Sequence, residues 1–220
     1  MITMKKILKS DWYILLIVAV GFLLGAIFYQ KMPARVPVHW DAQGHVNGYG
    51  SRFMGAFFLP LLNLGVYLLM AAAPYIDPRG SNYRKFKGSY QAIKCLVMVA
   101  LLFIYICTSL AAIGMRINIA MVVSVAIAFL FIVLGNVMGR IRFNYFVGIR
   151  TPWTLANEEV WRKTHRFAAP VWVLGGIAIL LFAILSGGMA IWSVIVIACA
   201  VALICVVYSY LVFRKIDKHR

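Results

Sequence analysis

Residues 135–170 read GNVMGRIRFNYFVGIRTPWTLANEEVWRKTHRFAAP, a polar, basic and aromatic stretch between two long apolar runs. The chain of 220 residues is 64% hydrophobic and 13% charged, whereas soluble domains carry roughly a quarter charged residues. Six apolar runs have the length, about 17 to 25 residues, that a helix needs to cross a bilayer. We therefore predict an all-α membrane protein of six transmembrane helices, with spans at residues 12–29, 53–73, 92–113, 119–138, 168–185 and 190–213.

The first span follows Lys5, Lys6 and Lys9, as the apolar core of a signal peptide would. We expect a retained anchor instead. Its apolar part is longer than a signal core, and no small-residue cleavage pattern follows it.

The Lys and Arg residues are distributed unevenly between the two ends of the predicted spans. The N-terminal tail holds 3, the segment between spans one and two holds 3, and the next connection, counted to Lys94, holds 5. The later segments hold 1, then 6 in the loop at residues 139–167, then 0, and 4 in the C-terminal tail. One side thus carries 18 of these cations and the other carries 4. Because cytoplasmic loops collect Lys and Arg, both termini and the loop 139–167 are predicted to lie on the cytoplasmic side of the membrane.

The formal net charge of +16 does not require direct contact with nucleic acid. An anionic inner leaflet attracts juxtamembrane Lys and Arg by about 1 kcal/mol each, so the bilayer is an expected partner of the basic side. No Asp, Glu, Lys, Arg or His lies in the middle of a predicted span, which argues against ion-coupled transport. No cofactor is predicted. The cysteines show no disulfide or zinc pattern and are expected to pack as small apolar residues within spans: Cys95, Cys107, Cys199 and Cys205.

Glycines, prolines and short connections predict how the spans pack. Gly21-x-x-x-Gly25 and Gly135-x-x-x-Gly139 offer surfaces for close helix approach. The short connections 114–118 and 186–189 predict that span three lies beside span four and span five beside span six. Pro60 is predicted to kink span two, with Asn63 or water satisfying the carbonyl that it frees.

Residues 33–52, PARVPVHWDAQGHVNGYGSR, are predicted to lie outside and to form a small folded cap. The alternation of apolar residues over residues 36–40 suits a short extended segment. Gln43-Gly44 and Asn47-Gly48 are turn signals, and the second favours a hairpin because both positions tolerate positive φ.

Three side chains of this outer segment form a candidate metal site. In an extended segment His39 and Asp41 would face the same way, and His45 could join them across the turn as a mixed set of nitrogen and oxygen ligands. The alternative is that His39 and Asp41 form hydrogen bonds within the loop.

A helix is predicted to begin at Thr151-Pro152, where a capping hydroxyl precedes proline at the first helical position. We expect a short amphipathic cytoplasmic helix from there to about Arg166. Glu158 would pair with Arg162, and Glu159 with Lys163, at the favourable i, i+4 spacing. This pairing favours a structural role for both acids over acid–base catalysis.

One face of this predicted helix carries Glu158, Trp161, Arg162 and His165. Glu158 and His165 are about 10 Å apart, too far to hold one ion without further ligands. The face presents the aromatic and cationic side chains that are common at protein interfaces. The alternative is a helix lying on the inner leaflet, with its tryptophans in the interface.

At these residues the chain resembles the SdpI-like family of bacterial membrane immunity and signalling proteins. The resemblance rests on Gly135-Asn136, on Asn144-x-x-x-Gly148-Ile149-Arg150-Thr151-Pro152-Trp153-Thr154-Leu155 and on Val160-Trp161-x-x-Thr164-His165-Arg166. The outer segment, Pro37-x-His39-Trp40-x-x-x-Gly44 with Asn47-Gly48-Tyr49-Gly50-Ser51-Arg52, is similar to the uncharacterised domain that often precedes that motif.

The resemblance implies a non-enzymatic protein that protects a cell against a secreted killing peptide. Such a protein would bind the peptide on the outer side and hold a cytoplasmic autorepressor at the membrane. The residues expected to bind a partner are Asn144, Arg150, Thr151, Pro152, Trp153, Trp161, His165 and Arg166. The chain is expected to divide into an N-terminal half, residues 1–91, and an SdpI-like half, residues 92–220. The alternatives are a metal-dependent membrane enzyme and a transporter of amphipathic peptides or lipids.

Overall fold

The computed structural model describes residues 4–185 and 190–218. Within those ranges the chain forms α1 (Met4–Lys31), β1 (Arg35–Trp40), β2 (Val46–Ser51), α2 (Arg52–Ile76), α3 (Lys87–Ala112), α4 (Ile119–Met138), α5 (Pro152–Ala156), α6 (Glu158–Leu185) and α7 (Ala190–Asp217). A 3₁₀ helix, Gly80–Phe86, leads into α3. All the α-helices except α5 are long and apolar enough to cross a membrane, which confirms the six predicted spans.

The six long helices pack as two groups of three. Helices α1, α2 and α3 contact one another, α4, α6 and α7 contact one another, and α3 packs against α4. The predicted pairing of span three with four and of five with six is confirmed, although the connection 186–189 lies outside the described residues. Glycine permits the close approach. A Cβ on Gly25 would lie 2.9 Å from the Ala56 carbonyl oxygen of α2, and one on Gly135 would lie 2.8 Å from the Ala169 carbonyl oxygen of α6.

Pro60 lies inside α2 and cannot donate to the carbonyl oxygen of Ala56, four residues earlier. The hydroxyl of Tyr105 on α3 donates a 2.8 Å hydrogen bond to that oxygen. Asn63, the partner expected from the sequence, instead donates to the Met98 carbonyl oxygen at 3.2 Å. Both side-chain bonds therefore join α2 to α3.

Pro74, near the end of α2, follows the same pattern. It frees the carbonyl oxygen of Met70, which accepts a hydrogen bond from the hydroxyl of Tyr90 on α3. Tyrosines of α3 thus satisfy the carbonyls freed by both prolines of α2, as backbone groups shielded from water require.

Strands β1 and β2 form an antiparallel hairpin that packs on the start of α2 and on α3. The register runs from Arg35 opposite Ser51 to Trp40 opposite Val46. Val36 is fully buried under the hairpin, and the hydroxyl of Ser51 accepts the N–H of Met54 as the N-cap of α2. The hairpin is thereby fastened to the helix that follows it.

The turn of the hairpin lies at Asp41–His45 and not at Asn47-Gly48, which falls inside β2. Asp41 Oδ1 accepts the N–H groups of Gln43 and His45 at 2.9 and 2.8 Å. Gly44 adopts a φ of 87°, which glycine takes without strain. The side-chain bonds of Asp41 explain why the turn forms at the first of the two predicted positions.

The predicted amphipathic helix from Thr151 to Arg166 is interrupted. It begins as expected, with the Thr151 hydroxyl accepting the Thr154 N–H and proline at the first position. The helix then breaks at Asn157, whose backbone is extended. The side-chain oxygen of Asn157 accepts the Glu159 N–H at 2.8 Å and so caps the start of a new helix. Residues 158–166 are therefore the first turns of α6, continuous with the fifth span.

Candidate functional site

The motif platform, as we name it, comprises the loop 139–151, helix α5, residues 158–166 of α6 and the connection 77–86. At its centre Trp161 and His165 stack with ring centroids 4.0 Å apart, each side chain only 1% exposed. Trp161 Nε1 donates to the Ile141 carbonyl oxygen at 3.0 Å. The loop is therefore bonded directly to the start of α6.

The hydrogen bonds of His165 determine its tautomer. Nε2 lies 2.9 Å from the Ile149 backbone N–H, so it must accept and cannot carry a proton. Nδ1 lies 2.9 Å from the Trp161 carbonyl oxygen, which can only accept, so the proton is on Nδ1. His165 is thus a neutral imidazole that links the loop to its own helix.

Gly148 is the residue that lets the loop cross this stacked pair. Its φ is 124°, and an added Cβ would lie 2.3 Å from His165 Nε2 and 3.0 Å from the Trp161 ring. No larger residue fits that space, and L-residues rarely adopt that φ. The glycine of the Gly-Ile-Arg-Thr-Pro-Trp-Thr string is therefore required by packing.

Asn144 organises the loop before Gly148 and is fully buried. Its Oδ1 accepts the N–H groups of Phe146 and Val147 at 2.9 and 2.7 Å. Its Nδ2 donates to the carbonyl oxygens of Arg142 and Val147 at 2.8 and 2.9 Å. One side chain thus satisfies four backbone groups of a tight turn.

The connection 77–86 clamps this loop from the other side. Asp77 Oδ2 accepts the Tyr145 N–H at 2.9 Å and the Tyr83 hydroxyl at 3.1 Å, while Oδ1 accepts the Arg79 N–H at 2.7 Å. Asn82 Nδ2 donates to the Phe143 carbonyl oxygen at 2.8 Å. Sequence reasoning missed Asp77 and Asn82. A signal was available for Asp77, because the chain has only 6 acidic residues against 22 cations.

Thr151 and Thr154 form a capping box that joins the platform to α7. The Thr154 hydroxyl accepts the Thr151 N–H at 2.9 Å, and the Thr151 hydroxyl accepts the Thr154 N–H at 3.2 Å. The Thr151 hydroxyl is also 3.1 Å from that of Ser209 on α7. Trp153 packs on Tyr210 of the same helix, with ring centroids 5.1 Å apart.

The structure divides the eight residues predicted to bind a partner. Four have buried side chains, namely Asn144, Thr151, Trp161 and His165. Arg150, Pro152 and Arg166 are exposed, and Trp153 is partly exposed. The expectation of an exposed aromatic face is therefore corrected, because the loop covers the Trp161 and His165 rings. The exposed cations of the platform around 139–166 are Arg140, Arg142, Arg150, Arg162, Lys163 and Arg166.

The two predicted ion pairs of α6 have different outcomes. Lys163 Nζ lies 2.9 Å from Glu159 Oε1, as expected, and both side chains are half exposed. Glu158 and Arg162 are both exposed and form no ion pair in the described part of the chain. Glu158 and the buried His165 both line a cavity of about 300 Å³, but no hydrogen bond joins them in the described part of the chain.

The three residues proposed as metal ligands lie on the hairpin, but they do not converge. His39 Nδ1 bonds Asn47 Oδ1 instead, and His45 Nδ1 lies 3.4 Å from Asp41 Oδ2. The backbone N–H groups of His45 and Gln43 hold the pKa of Asp41 below its ordinary value. Across residues 4–185 and 190–218, no three His, Cys, Asp or Glu side chains are grouped to hold a metal ion. The alternative, hydrogen bonding within the loop, is what these side chains do.

Two segments of the chain match known protein families. Residues 140–209 match the model of the SdpI/YfhL protein family, and residues 16–64 match a domain of unknown function, DUF1648. Immunity protein SdpI of Bacillus subtilis (strain 168) is 26% identical over 213 residues, covering 97% of this chain and 100% of that relative. No solved structure matches the chain.

The SdpI match begins at the loop and extends through α5 and α6 into α7, so it contains most of the motif platform. The DUF1648 match contains the hairpin and parts of α1 and α2. Together with the relative that aligns almost from end to end and the six apolar helices, these matches show a multi-pass membrane protein that is similar to the SdpI/YfhL family over residues 140–209 and to immunity protein SdpI over nearly its whole length.

Proposed function

We propose that this protein protects a bacterial cell against a secreted antibacterial peptide. The observation that carries the proposal is the alignment with Immunity protein SdpI, which covers that relative completely and this chain almost completely. The aligned region includes both the hairpin end and the platform end of the molecule.

The orientation that we propose has both termini and the motif platform in the cytoplasm. The start of α1, the connection 77–86, the platform loop and the end of α7 lie at one end of the helices, since α1 to α4 alternate in direction. These segments belong to the side that carries 18 of the 22 Lys and Arg residues. The positive-inside rule supports this orientation.

The hairpin end would then meet the peptide outside the cell. Val46 and Tyr49 of β2 are exposed apolar side chains, 37% and 53% accessible, and the Arg35 guanidinium lies 4.7 Å from the Tyr49 ring centroid. Apolar and cationic side chains beside a bilayer suit an amphipathic peptide that approaches along the membrane surface. We propose this surface as the first contact.

The platform end would hold a cytoplasmic autorepressor. Arg150 and Arg166 are exposed there and Trp153 is partly exposed. Arg150 Nη1 donates to the Tyr145 carbonyl oxygen at 2.9 Å, which holds its guanidinium at the surface. Arginine and tryptophan contribute most often to interface energy, so we assign contact to these three residues. Trp161 and His165 would position the loop that carries Arg150.

Immunity is tested in a Bacillus subtilis strain that lacks its own immunity protein SdpI. That strain, expressing this protein, is challenged with culture supernatant from the unmodified strain, and surviving colonies are counted. We expect more survivors than with an empty vector. Survival equal to the empty vector, at a membrane level verified by immunoblot, would reject the proposal.

Paired variants separate the two ends. Val46→Ser with Tyr49→Ala should lower survival without changing repressor recruitment, which is measured as membrane-bound repressor after fractionation. Arg150→Ala with Arg166→Ala should lower recruitment and leave survival unchanged. Arg214→Ala with Lys215→Ala removes two exposed cations from the end of α7 and should change neither quantity. If the variant lacking Arg150 and Arg166 recruited as much repressor as the variant lacking Arg214 and Lys215, the assigned platform contact would be contradicted.

A further inference from the structure

A cavity of about 620 Å³ lies where the start of α1, the end of α2, the 3₁₀ helix of the connection 77–86 and the start of α3 meet. Its size is within the range of about 300–1,000 Å³ that is typical of small-molecule sites. The residues that bear on its chemistry are Asp11, Met70, Tyr75, Arg84, Lys87 and Lys94.

The deep wall of the cavity contains an ion pair. Lys94 Nζ bonds Asp11 Oδ2, and the two residues are 5% and 0% exposed. Asp11 also accepts Gln91 Nε2 at 2.6 Å and the Tyr67 hydroxyl at 3.4 Å. Because burying charge is costly unless it is paired and hydrogen-bonded, these bonds hold the wall in one arrangement. The negative charge of Asp11 is thus already neutralised.

The mouth of the cavity has an excess of positive charge. Arg84 and Lys87 line it and are exposed, and neither forms an ion pair with any acid in residues 4–185 and 190–218. Asp11 is the one acidic residue of the lining, and it pairs with Lys94. Two cations without a carboxylate partner therefore face the mouth.

The remaining wall is apolar and comes from α2. Met70 and Tyr75 belong to it, and Tyr75 is 50% exposed. From Lys87 to Lys94 the cavity extends about 10 Å along α3, at about 1.5 Å per residue. A small inorganic anion would leave this wall unused, whereas a headgroup with attached acyl chains would occupy both the cationic and the apolar parts.

We propose that this cavity binds one anionic phospholipid. Its phosphate would lie between Arg84 and Lys87, and its acyl chains would follow the apolar wall of α2 past Tyr75. This inference does not depend on immunity. The proposed orientation decides only the leaflet, which would be the cytoplasmic one.

Lipid binding is measured by native mass spectrometry of the whole protein in detergent, titrated with phosphatidylglycerol. Phosphatidylcholine is the neutral-headgroup arm and inorganic phosphate is the free-anion competitor. We expect one tightly bound phosphatidylglycerol, weak retention of phosphatidylcholine and no displacement by millimolar phosphate. Arg84→Ala with Lys87→Ala should weaken binding about thirtyfold, equivalent to about 2 kcal/mol for two juxtamembrane cations.

The matched control is Arg214→Ala with Lys215→Ala, which removes the same charge at the same end of the bundle but outside the cavity. It should retain wild-type affinity. Equal weakening in both double variants would reduce the effect to general surface charge and overturn the site. Equal retention of the two lipids would show that headgroup charge is not recognised and would overturn it as well. Displacement by phosphate alone would overturn the lipid assignment. Since the substituted side chains are all exposed, the variants are expected to fold normally. Circular dichroism of each variant checks this.

Discussion

Two aspartates occupy comparable turns at opposite ends of the bundle. Asp77 accepts the N–H of Arg79, two residues on, and also that of Tyr145, 68 positions away. Asp41 accepts the N–H groups of Gln43 and His45, two and four residues away. The first carboxylate is buried and joins two segments of the chain, while the second is partly exposed and closes one turn.

The same contrast holds for histidine. His165 at the platform is buried and bonded to the loop across 16 positions, whereas His39 on the hairpin is exposed and bonded across 8. The platform is therefore held by long-range side-chain bonds, and the hairpin mainly by local bonds and backbone pairing. Substitutions of the buried platform side chains should destabilise the fold, while those at the hairpin should alter a surface.

The largest effect is expected from Gly148→Ala. The added Cβ would meet His165 Nε2 at 2.3 Å, at a φ of 124°. Overpacking and backbone strain together predict a loss of about 3–5 kcal/mol in the free energy of unfolding. Denaturant unfolding in detergent, followed by circular dichroism, measures it.

Gly114→Ala is its matched control. Gly114 has a φ of 103° but no neighbour within 4 Å of an added Cβ, so only strain of about 1–2 kcal/mol is expected. Equal losses at the two glycines would mean that contact with His165 and Trp161 contributes nothing, and the described packing would be wrong.

The next largest effect is expected from Asp77→Ala compared with Asp41→Ala. Removing Asp77 takes an acceptor from three buried or part-buried donors, of which the Tyr83 hydroxyl keeps a second acceptor, Asn144 Oδ1, at 3.3 Å; the expected cost is about 2–3 kcal/mol. Removing Asp41 leaves N–H groups that water can reach, so the global free energy of unfolding should not change measurably. Equal values for the two variants would refute the contrast between buried and exposed turns.

The smallest effect is expected on acidification of the hairpin. The His45 and Gln43 N–H groups lower the pKa of Asp41 below its ordinary value of 3.8. The stabilisation that the ionised Asp41 gives the turn is therefore fully present above pH 3.8. It is lost as the pH falls through the lowered pKa of Asp41 in the folded state.

Amide resonances of Gln43 and His45, recorded from pH 6 to pH 2.5, should shift with a midpoint below 3.8. Asp41→Asn should abolish that titration. A midpoint at or above 3.8 in the unsubstituted protein would show that these hydrogen bonds do not hold the carboxylate.

Several features were predictable because their causes are local. The six spans follow from the lengths of apolar runs, and the start of α5 follows from Thr151 and Pro152. The break at Asn157 was not predicted, because the capped start at Thr151-Pro152 and the i, i+4 charge pairs that follow Asn157 favoured one unbroken helix. Gln43-Gly44 was predicted as a turn, but Asn47-Gly48 was the position favoured for the hairpin, and that preference was wrong.

The sequence alone determined that this chain has six segments long and apolar enough to cross a membrane and that it resembles a known family, since apolar length and a contiguous motif are both readable along the chain. The tertiary structure decided which motif residues are buried. Trp161 and His165 face inward because Gly148 and Ile149 cross over them. Asp77 and Lys94 acquire partners 68 and 83 positions away. Such pairs arise from helix packing and chain reversal, and no local periodicity encodes them.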